Sequence, residues 1–163
     1  MTRIEAMIAG VPFAAKVGAQ DLRELLRSWT MQESTAPSDG RVIERRVWTD
    51  CGSGLQVAMH LRRFNKFPAV DWFVELTNTG QSDTPILEQV QALDATLEVA
   101  AQRVDLLYAN GSLCQMDDFL PQQTELGPWY DHTFAPVGGR SSNGILPFMN
   151  LKLAGGGLVI GIG

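Results

Sequence analysis

Alternating apolar and polar residues dominate the middle of the chain, and this pattern predicts β-strands. Between Leu55 and Leu61, four apolar residues occupy every second position, and polar or small side chains separate them. Residues 41–49 show a second, less regular alternation, and the sequence Asp-Cys-Gly-Ser-Gly joins the two segments. Because the two glycines allow a tight reversal, the pattern predicts a β-hairpin over residues 41–64.

Two more segments follow this hairpin. Residues 70–77 have one wholly apolar face and one mainly polar face, and an Asn-Thr-Gly turn ends them. Residues 86–99 form a longer run. Leu93 and Leu97 in it also fit a helical spacing, but the regular spacing of turns around the run favours a strand. In contrast, the polar residues 30–40 predict a loop.

The last third of the chain predicts further strands. Residues 104–110 form one apolar run, and residues 148–153 and 158–163 form two more, separated by three consecutive glycines typical of a hairpin turn. The chain closes on an apolar, strand-like segment rather than on a polar tail. We therefore expect it to be part of a longer protein.

A single helix is predicted early in the chain. Leu22, Leu25 and Leu26 have helical spacing, while Asp21 and Arg27 complement the helix dipole at the two ends. Many strands at spacings of about ten residues, with glycine-rich turns, predict an antiparallel sandwich. We therefore predict an all-β fold in one domain over residues 1–163, with one short helix near the N-terminus.

Composition and charge argue against several classes of function. The net charge is −5 and the 13 basic residues are scattered, which argues against nucleic acid as a partner. No apolar stretch approaches the roughly 18 residues of a membrane helix, and no signal peptide is recognisable, so we expect a cytoplasmic protein without membrane contacts. For Cys51 and Cys114 we favour two reduced thiols over a disulfide.

Common catalytic and metal-binding motifs are absent from the sequence. His60 and His132 have no ligand-spaced partner, and no phosphate-binding loop, zinc-protease motif or nucleophile elbow occurs. We therefore expect no metal and no cofactor.

Two short segments nevertheless carry side chains suited to sugars. Asp117 and Asp118 are adjacent carboxylates, and paired carboxylates serve glycoside hydrolysis when they flank the scissile bond. Neighbours in sequence rarely do so, which favours a turn in which one carboxylate accepts a backbone N–H; binding to a sugar hydroxyl or an arginine is the alternative. Trp129 follows Gly127 and Pro128, and it either stacks on a sugar ring or packs on the sandwich.

The glycine-rich segment that begins at Gly138 and Gly139 is the third candidate. Arg140 follows with a rigid fork of donors suited to a carboxylate. Three short polar side chains come next, Ser141, Ser142 and Asn143. They bond backbone groups and sugar hydroxyls equally well. The pattern favours a loop bonded to itself, with Arg140 paired to Asp117 or Asp118.

Eight short segments in this order are together fairly specific: WTD (48–50), RFNKFPAVDW (63–72), ELTNTG (75–80), DTPILE (83–88), QALD (91–94), DDF (117–119), LGP (126–128) and GGRSSNGILPF (138–148). This series resembles the amino-terminal domain of glycoside hydrolase family 36, the α-galactosidase-like enzymes. The resemblance covers residues 41–163. Where many members carry a Ser-Ser-His sequence, this chain has Ser141, Ser142 and Asn143.

The resemblance implies an antiparallel β-supersandwich of the galactose-mutarotase type. In the family this domain precedes a (β/α)8 barrel that carries the two catalytic aspartates, and nothing in these 163 residues corresponds to that barrel. The resemblance therefore implies a non-catalytic domain of a retaining α-galactosidase-like hydrolase. Such a domain packs on the barrel of the same polypeptide and shapes the entrance to the sugar site.

The resemblance also defines candidate residues and partners. Seven residues are candidates for carbohydrate binding or for the domain interface: Asp117, Asp118, Trp129, Arg140, Ser141, Ser142 and Asn143. None of them is expected to be catalytic. The expected ligand is an α-galactoside-like carbohydrate, and a homo-oligomer is left open. The alternative function is an independent carbohydrate-binding module.

Overall fold

The computed structural model of the protein describes residues 3–99 and 103–163. The chain forms two compact units, Met1–Glu98 and Val99–Gly163. Antiparallel sheets make up most of the regular structure in the described residues, together with two short helices. This confirms the predicted all-β class. The single domain expected over residues 1–163 stays a prediction.

The described residues of the first unit form nine elements: α1 (Arg3–Ala9), β1 (Ala14–Val17), β2 (Gln20–Asp21), α2 (Leu22–Leu26), β3 (Thr30–Ser38), β4 (Arg41–Thr49), β5 (Leu55–Phe64), β6 (Val70–Asn78) and β7 (Leu87–Gln91). Strands β3 to β6 form a four-stranded antiparallel sheet in sequence order, and β2, β1 and β7 form a three-stranded sheet. The core lies between one face of the larger sheet, β1 and the two helices.

Several predictions are confirmed in this unit. Strands β4 and β5 form the expected hairpin, paired from Arg41 with Phe64 to Thr49 with Gln56. The short helix is also present as α2, and the Asp21 carboxylate accepts a hydrogen bond from the backbone N–H of Arg23 at 2.7 Å. This N-cap fixes the helix start, and its buried leucines join the core.

The loop predicted for residues 30–40 is wrong, because β3 occupies most of it. This strand pairs with β4 along its whole length, from Thr30 with Thr49 to Ser38 with Arg41. All nine of its residues are exposed. An edge strand with no buried face is held mainly by backbone hydrogen bonds, so it shows no apolar alternation in the sequence.

The long strand predicted for residues 86–99 is also wrong beyond β7. Gln89 has a positive φ of 51°, and the pairing of β7 with β1 is irregular. After β7 the chain no longer pairs as a strand. The N–H of Asp94 instead donates to the carbonyl of Pro12, just before β1, at 2.7 Å. The helix count is corrected as well: α1, which was not predicted, buries Ile8 in the core.

The described residues of the second unit contain one four-stranded antiparallel sheet. Its strands are β8 (Asp105–Ala109), β9 (Pro121–Glu125), β10 (Phe148–Leu153) and β11 (Gly156–Gly161). They lie in the order β11-β10-β8-β9, and β10 and β11 form the predicted hairpin. Strand β9 was not predicted, because its sequence PQQTE carries no apolar alternation. The connections before and after β9 carry all seven candidate residues.

Neither described helix, at seven and five residues, is long enough and apolar enough to span a bilayer.

Candidate functional site

Two loops of the second unit meet at the segment that follows β8. We call residues 112–120 the acidic loop and residues 137–145 the glycine loop. The backbone N–H of Asn110 donates to the carbonyl of Leu120 at 3.1 Å, and that of Ser112 donates to the carbonyl of Ser142 at 3.0 Å. The three residues after β8 therefore hold both loops and bring six of the seven candidates into one region.

Asp118 organises the acidic loop. Its carboxylate accepts hydrogen bonds from the backbone N–H of Leu113 at 2.8 Å, the N–H of Cys114 at 3.0 Å and the Ser112 hydroxyl at 2.8 Å. The Leu113 bond is the main cause that lowers the pKa of Asp118 below its ordinary value, against a smaller opposing effect of burial. This is the backbone-capping role that the sequence favoured.

Asp117 has a different partner. The side-chain amide of Asn110 donates to its carboxylate at 3.1 Å and to its carbonyl oxygen at 3.0 Å. The two adjacent carboxylates are thus bound by separate groups of the same loop region. Their local role is to fix the path of the chain from β8 to β9.

The glycine loop is closed by Asn143, one of the few buried polar residues, with 8% of its surface exposed. Its side-chain amide donates to the carbonyl of Val137, and its backbone carbonyl accepts from the N–H of Val137 at 3.0 Å. Gly138 has φ of 66°, and a Cβ there would lie 2.8 Å from the Asn143 amide nitrogen. The loop is therefore bonded to itself, and Gly138 makes room for the closing side chain.

Arg140 does not pair with either aspartate in the described residues, contrary to the expectation. Its guanidinium donates only a long hydrogen bond, 3.4 Å, to the side-chain oxygen of Asn143. The physical reason is that nearer donors already bind both carboxylates: the side-chain amide of Asn110 binds Asp117, and the backbone N–H of Leu113 binds Asp118. The side chains of Arg140, Ser141 and Ser142 are exposed to solvent, while Asn143 points inward.

Trp129, the seventh candidate, lies on a turn where the N–H of Tyr130 donates to the carbonyl of Gly127 at 3.1 Å. Its side chain is 96% exposed. Within the part of the chain that the structure describes, no hydrogen bond or ring contact joins Trp129 to the acidic or glycine loop. The alternative that Trp129 packs on the sandwich is therefore wrong.

Four rings pack together beside this turn, and we call them the aromatic cluster: Tyr108, Tyr130, His132 and Phe134. The rings of Tyr130 and His132 are stacked within 10° of parallel, and the Tyr130 hydroxyl lies 3.0 Å from Nδ1 of His132. Tyr108 contacts the rings of His132 and Phe134 with centroid distances of 5.4 and 5.0 Å. The cluster is thus attached to the sheet through β8.

Neither the aromatic cluster nor the residues that join the loops were predicted from the sequence. The sequence does contain a signal for the aromatic cluster, because Tyr130, His132 and Phe134 occupy alternate positions and share one side of an extended segment. For Asn110 and Ser112, an Asn-Gly-Ser turn after a strand was the only sequence signal, and it does not indicate which loops they contact.

The candidate loops offer hydrogen-bonding groups, and the aromatic cluster offers ring faces. Histidine, cysteine and acidic side chains form no group of three or more in the described residues that could hold a metal ion. Both cysteines are exposed free thiols. The glycine loop presents the Arg140 guanidinium and two serine hydroxyls, which suit a polar ligand. The exposed ring of Trp129 lies on a separate turn and suits an apolar face.

Comparison of the chain with models of protein families, with curated proteins and with solved structures found no match.

Proposed function

We propose that the chain is the non-catalytic β-sandwich domain of a retaining α-galactosidase-like glycoside hydrolase. In this role it packs on the catalytic (β/α)8 barrel of the same polypeptide, and its glycine loop shapes the entrance to the sugar site. The resemblance over residues 41–163 and the antiparallel all-β fold support the proposal.

One observation carries the role given to the glycine loop. Asn143 closes the loop from inside, while Arg140, Ser141 and Ser142 face outward on a backbone that is already fixed. A fixed loop loses little conformational entropy when it binds, so its exposed donors suit recognition of a partner surface or a sugar. The loop residues that define its shape and those that can bind are therefore different residues.

The two aspartates of the acidic loop also have a structural role in this proposal. Asp117 and Asp118 are engaged by Asn110, Ser112 and two backbone amides, so we assign them to the architecture of the loop and not to bond cleavage. In the proposed enzyme the catalytic carboxylates belong to the barrel.

A carbohydrate-binding module is the second candidate function. The exposed indole of Trp129 favours it, because a module binds sugar on its own surface without a barrel. The two functions differ in whether sugar binding requires any further domain.

The reading frame that follows the codon of Gly163 tests the proposal. We expect it to continue through alternating strands and helices of a barrel that contains two catalytic aspartates. In that full-length protein, Arg140→Ala should raise KM for a nitrophenyl α-galactoside about tenfold, the effect of losing roughly 1.4 kcal/mol of binding. Arg45→Ala removes another exposed arginine and is the matched control. A stop codon after Gly163, or release of nitrophenol by the 163-residue chain alone, would refute the proposal.

A further inference from the structure

Strand β11 forms one edge of the sheet in the second unit. It pairs with β10 along its whole length and with no other described strand. Residues 153–163 contain no charged side chain and no proline. Every other edge strand of the described residues carries at least one charged side chain, such as Glu33 in β3 and Glu125 in β9. Because such charges discourage edge-to-edge pairing, β11 is an edge without the usual protection.

The pairing of β11 with β10 shows which of its backbone groups point outward. The N–H of Ile162 donates to the carbonyl of Pro147 at 2.8 Å, so the backbone groups of Ile162 point towards β10. Backbone groups alternate in direction along an antiparallel strand. The N–H and C=O groups of Gly157, Val159 and Gly161 therefore point away from the sheet, and these three residues are exposed. They have no hydrogen-bond partner in the described part of the chain.

This outward edge is complementary to itself. Gly157 and Gly161 lie symmetrically on either side of Val159, so a twofold axis at Val159 places one Gly157 opposite the other copy's Gly161. In this register every outward N–H meets an outward C=O of the second copy, and their opposite partial charges face each other. No like charges are brought together, and the glycines leave no side chain to obstruct the approach of the backbones. The Val159 side chain, 72% exposed, packs against its own copy.

We propose that β11 pairs with β11 of a second copy of this chain, in an antiparallel arrangement centred on Val159. The four-stranded sheets of the two copies then form one continuous sheet across a twofold axis. Among the described edge strands only β11 lacks a charged side chain, so the pairing occupies the one open edge and assembly stops at a dimer. This surface uses neither the acidic loop nor the glycine loop, and it goes beyond the proposed function.

Sedimentation equilibrium of the 163-residue chain tests the dimer. Two paired strand edges bury little surface, so we expect a dissociation constant of about 10–100 μM and an average mass that approaches twice the monomer mass at about 1 mM. Hydrogen exchange locates the contact. The amides of Gly157, Val159 and Gly161 should exchange about threefold more slowly at high than at low protein concentration. The amides of Leu158 and Ile160, which face β10, should change little.

Three variants test the register. Val159→Pro removes only an outward N–H, which an edge strand tolerates, and Val159→Lys places two like charges on the twofold axis. Each should raise the dissociation constant about tenfold or more. Slow exchange of the Leu158 and Ile160 amides in both variants would show that β11 stays paired with β10. Val90→Lys is the matched control, because Val90 is another exposed strand valine, 56% exposed in β7, and it should leave the association unchanged.

A monomer at about 1 mM would overturn the proposal and leave this edge to a strand of a different chain or segment. Unchanged association of Val159→Lys, or equal weakening by Val90→Lys, would overturn it as well. Exchange of the outward amides that does not depend on protein concentration would also contradict it. None of these results bears on the reading frame after Gly163.

Discussion

Gly111 shows how one residue determines the arrangement of the two loops. A Cβ at this position would lie 2.0 Å from the carbonyl oxygen of Ser142 and 2.6 Å from the backbone nitrogen of Ile145. Both are backbone atoms, so no rotation of a side chain can relieve the contact. The glycine loop can approach the end of β8 only because residue 111 has no side chain.

Gly111→Ala should therefore destabilise the second unit by about 1–3 kcal/mol, the usual cost of forcing an extra methyl group into a packed site. Urea denaturation would measure this free energy of unfolding. Gly127→Ala is the matched control, because beyond its two chain neighbours no heavy atom lies within 4 Å of its added Cβ. Its effect should stay within about 0.5 kcal/mol. Equal effects of the two substitutions would contradict the role of the close contact.

At the scale of elements, Arg46 links three parts of the first unit. Its guanidinium bonds the Glu33 carboxylate of β3 at 2.9 Å and donates to the carbonyls of Ile8 and Gly10, at 3.3 and 3.4 Å. These carbonyls lie at and just beyond the end of α1, where a positive charge is favourable. One side chain of β4 thus joins the edge strand and the N-terminal helix to the sheet.

We expect Arg46→Met to lower the free energy of unfolding by about 1.5–3 kcal/mol, because it removes charge-assisted hydrogen bonds and leaves carbonyls without their donor. Arg45→Met is the control, since the neighbouring Arg45 is exposed. Hydrogen exchange at the amides of α1 and β3 would locate the effect. Comparable losses in both variants would show that Arg46 acts only through net charge.

At the scale of the whole molecule, three carboxylates among the described residues have a pKa below the ordinary value of 3.8, and their main causes differ. The Ser53 hydroxyl is the main cause for Asp50, the Arg103 guanidinium for Asp105, and the Leu113 amide for Asp118. Each folded-state pKa is lowered, so each ionised group stabilises the fold above its ordinary pKa. That contribution is lost as pH falls through the lowered pKa.

These three groups should therefore leave the free energy of unfolding nearly constant from neutral pH down to about pH 5. Below about pH 4 the free energy of unfolding should fall steeply. Asp118→Asn, which cannot ionise, should be less stable at neutral pH and show a shallower acid transition. Denaturant titrations at several pH values would measure both curves. Parallel curves for the two proteins would contradict the contribution of Asp118.

Much of the fold is recognisable from the sequence because it depends on neighbours in the chain. The β4–β5 and β10–β11 hairpins have short glycine-containing turns, and the helix α2 has an N-cap and helical leucine spacing. The alternation of β5 reflects one buried face, which is a local property of the strand. The role of Asp118 in a turn was predictable for the same reason, since its partners lie within six residues.

The tertiary structure alone decided the rest, because those features depend on contacts between distant segments or on backbone bonds that leave no side-chain pattern. Strands β3 and β9 are held mainly by pairing with a neighbouring strand, so their sequences look like loops. Arg140 donates to Asn143 in place of the expected pairing with an aspartate, and Tyr108 reaches His132 across 24 positions of the chain. Hydrophobic periodicity indicates which face of a segment is buried, but it does not indicate which distant segment covers that face.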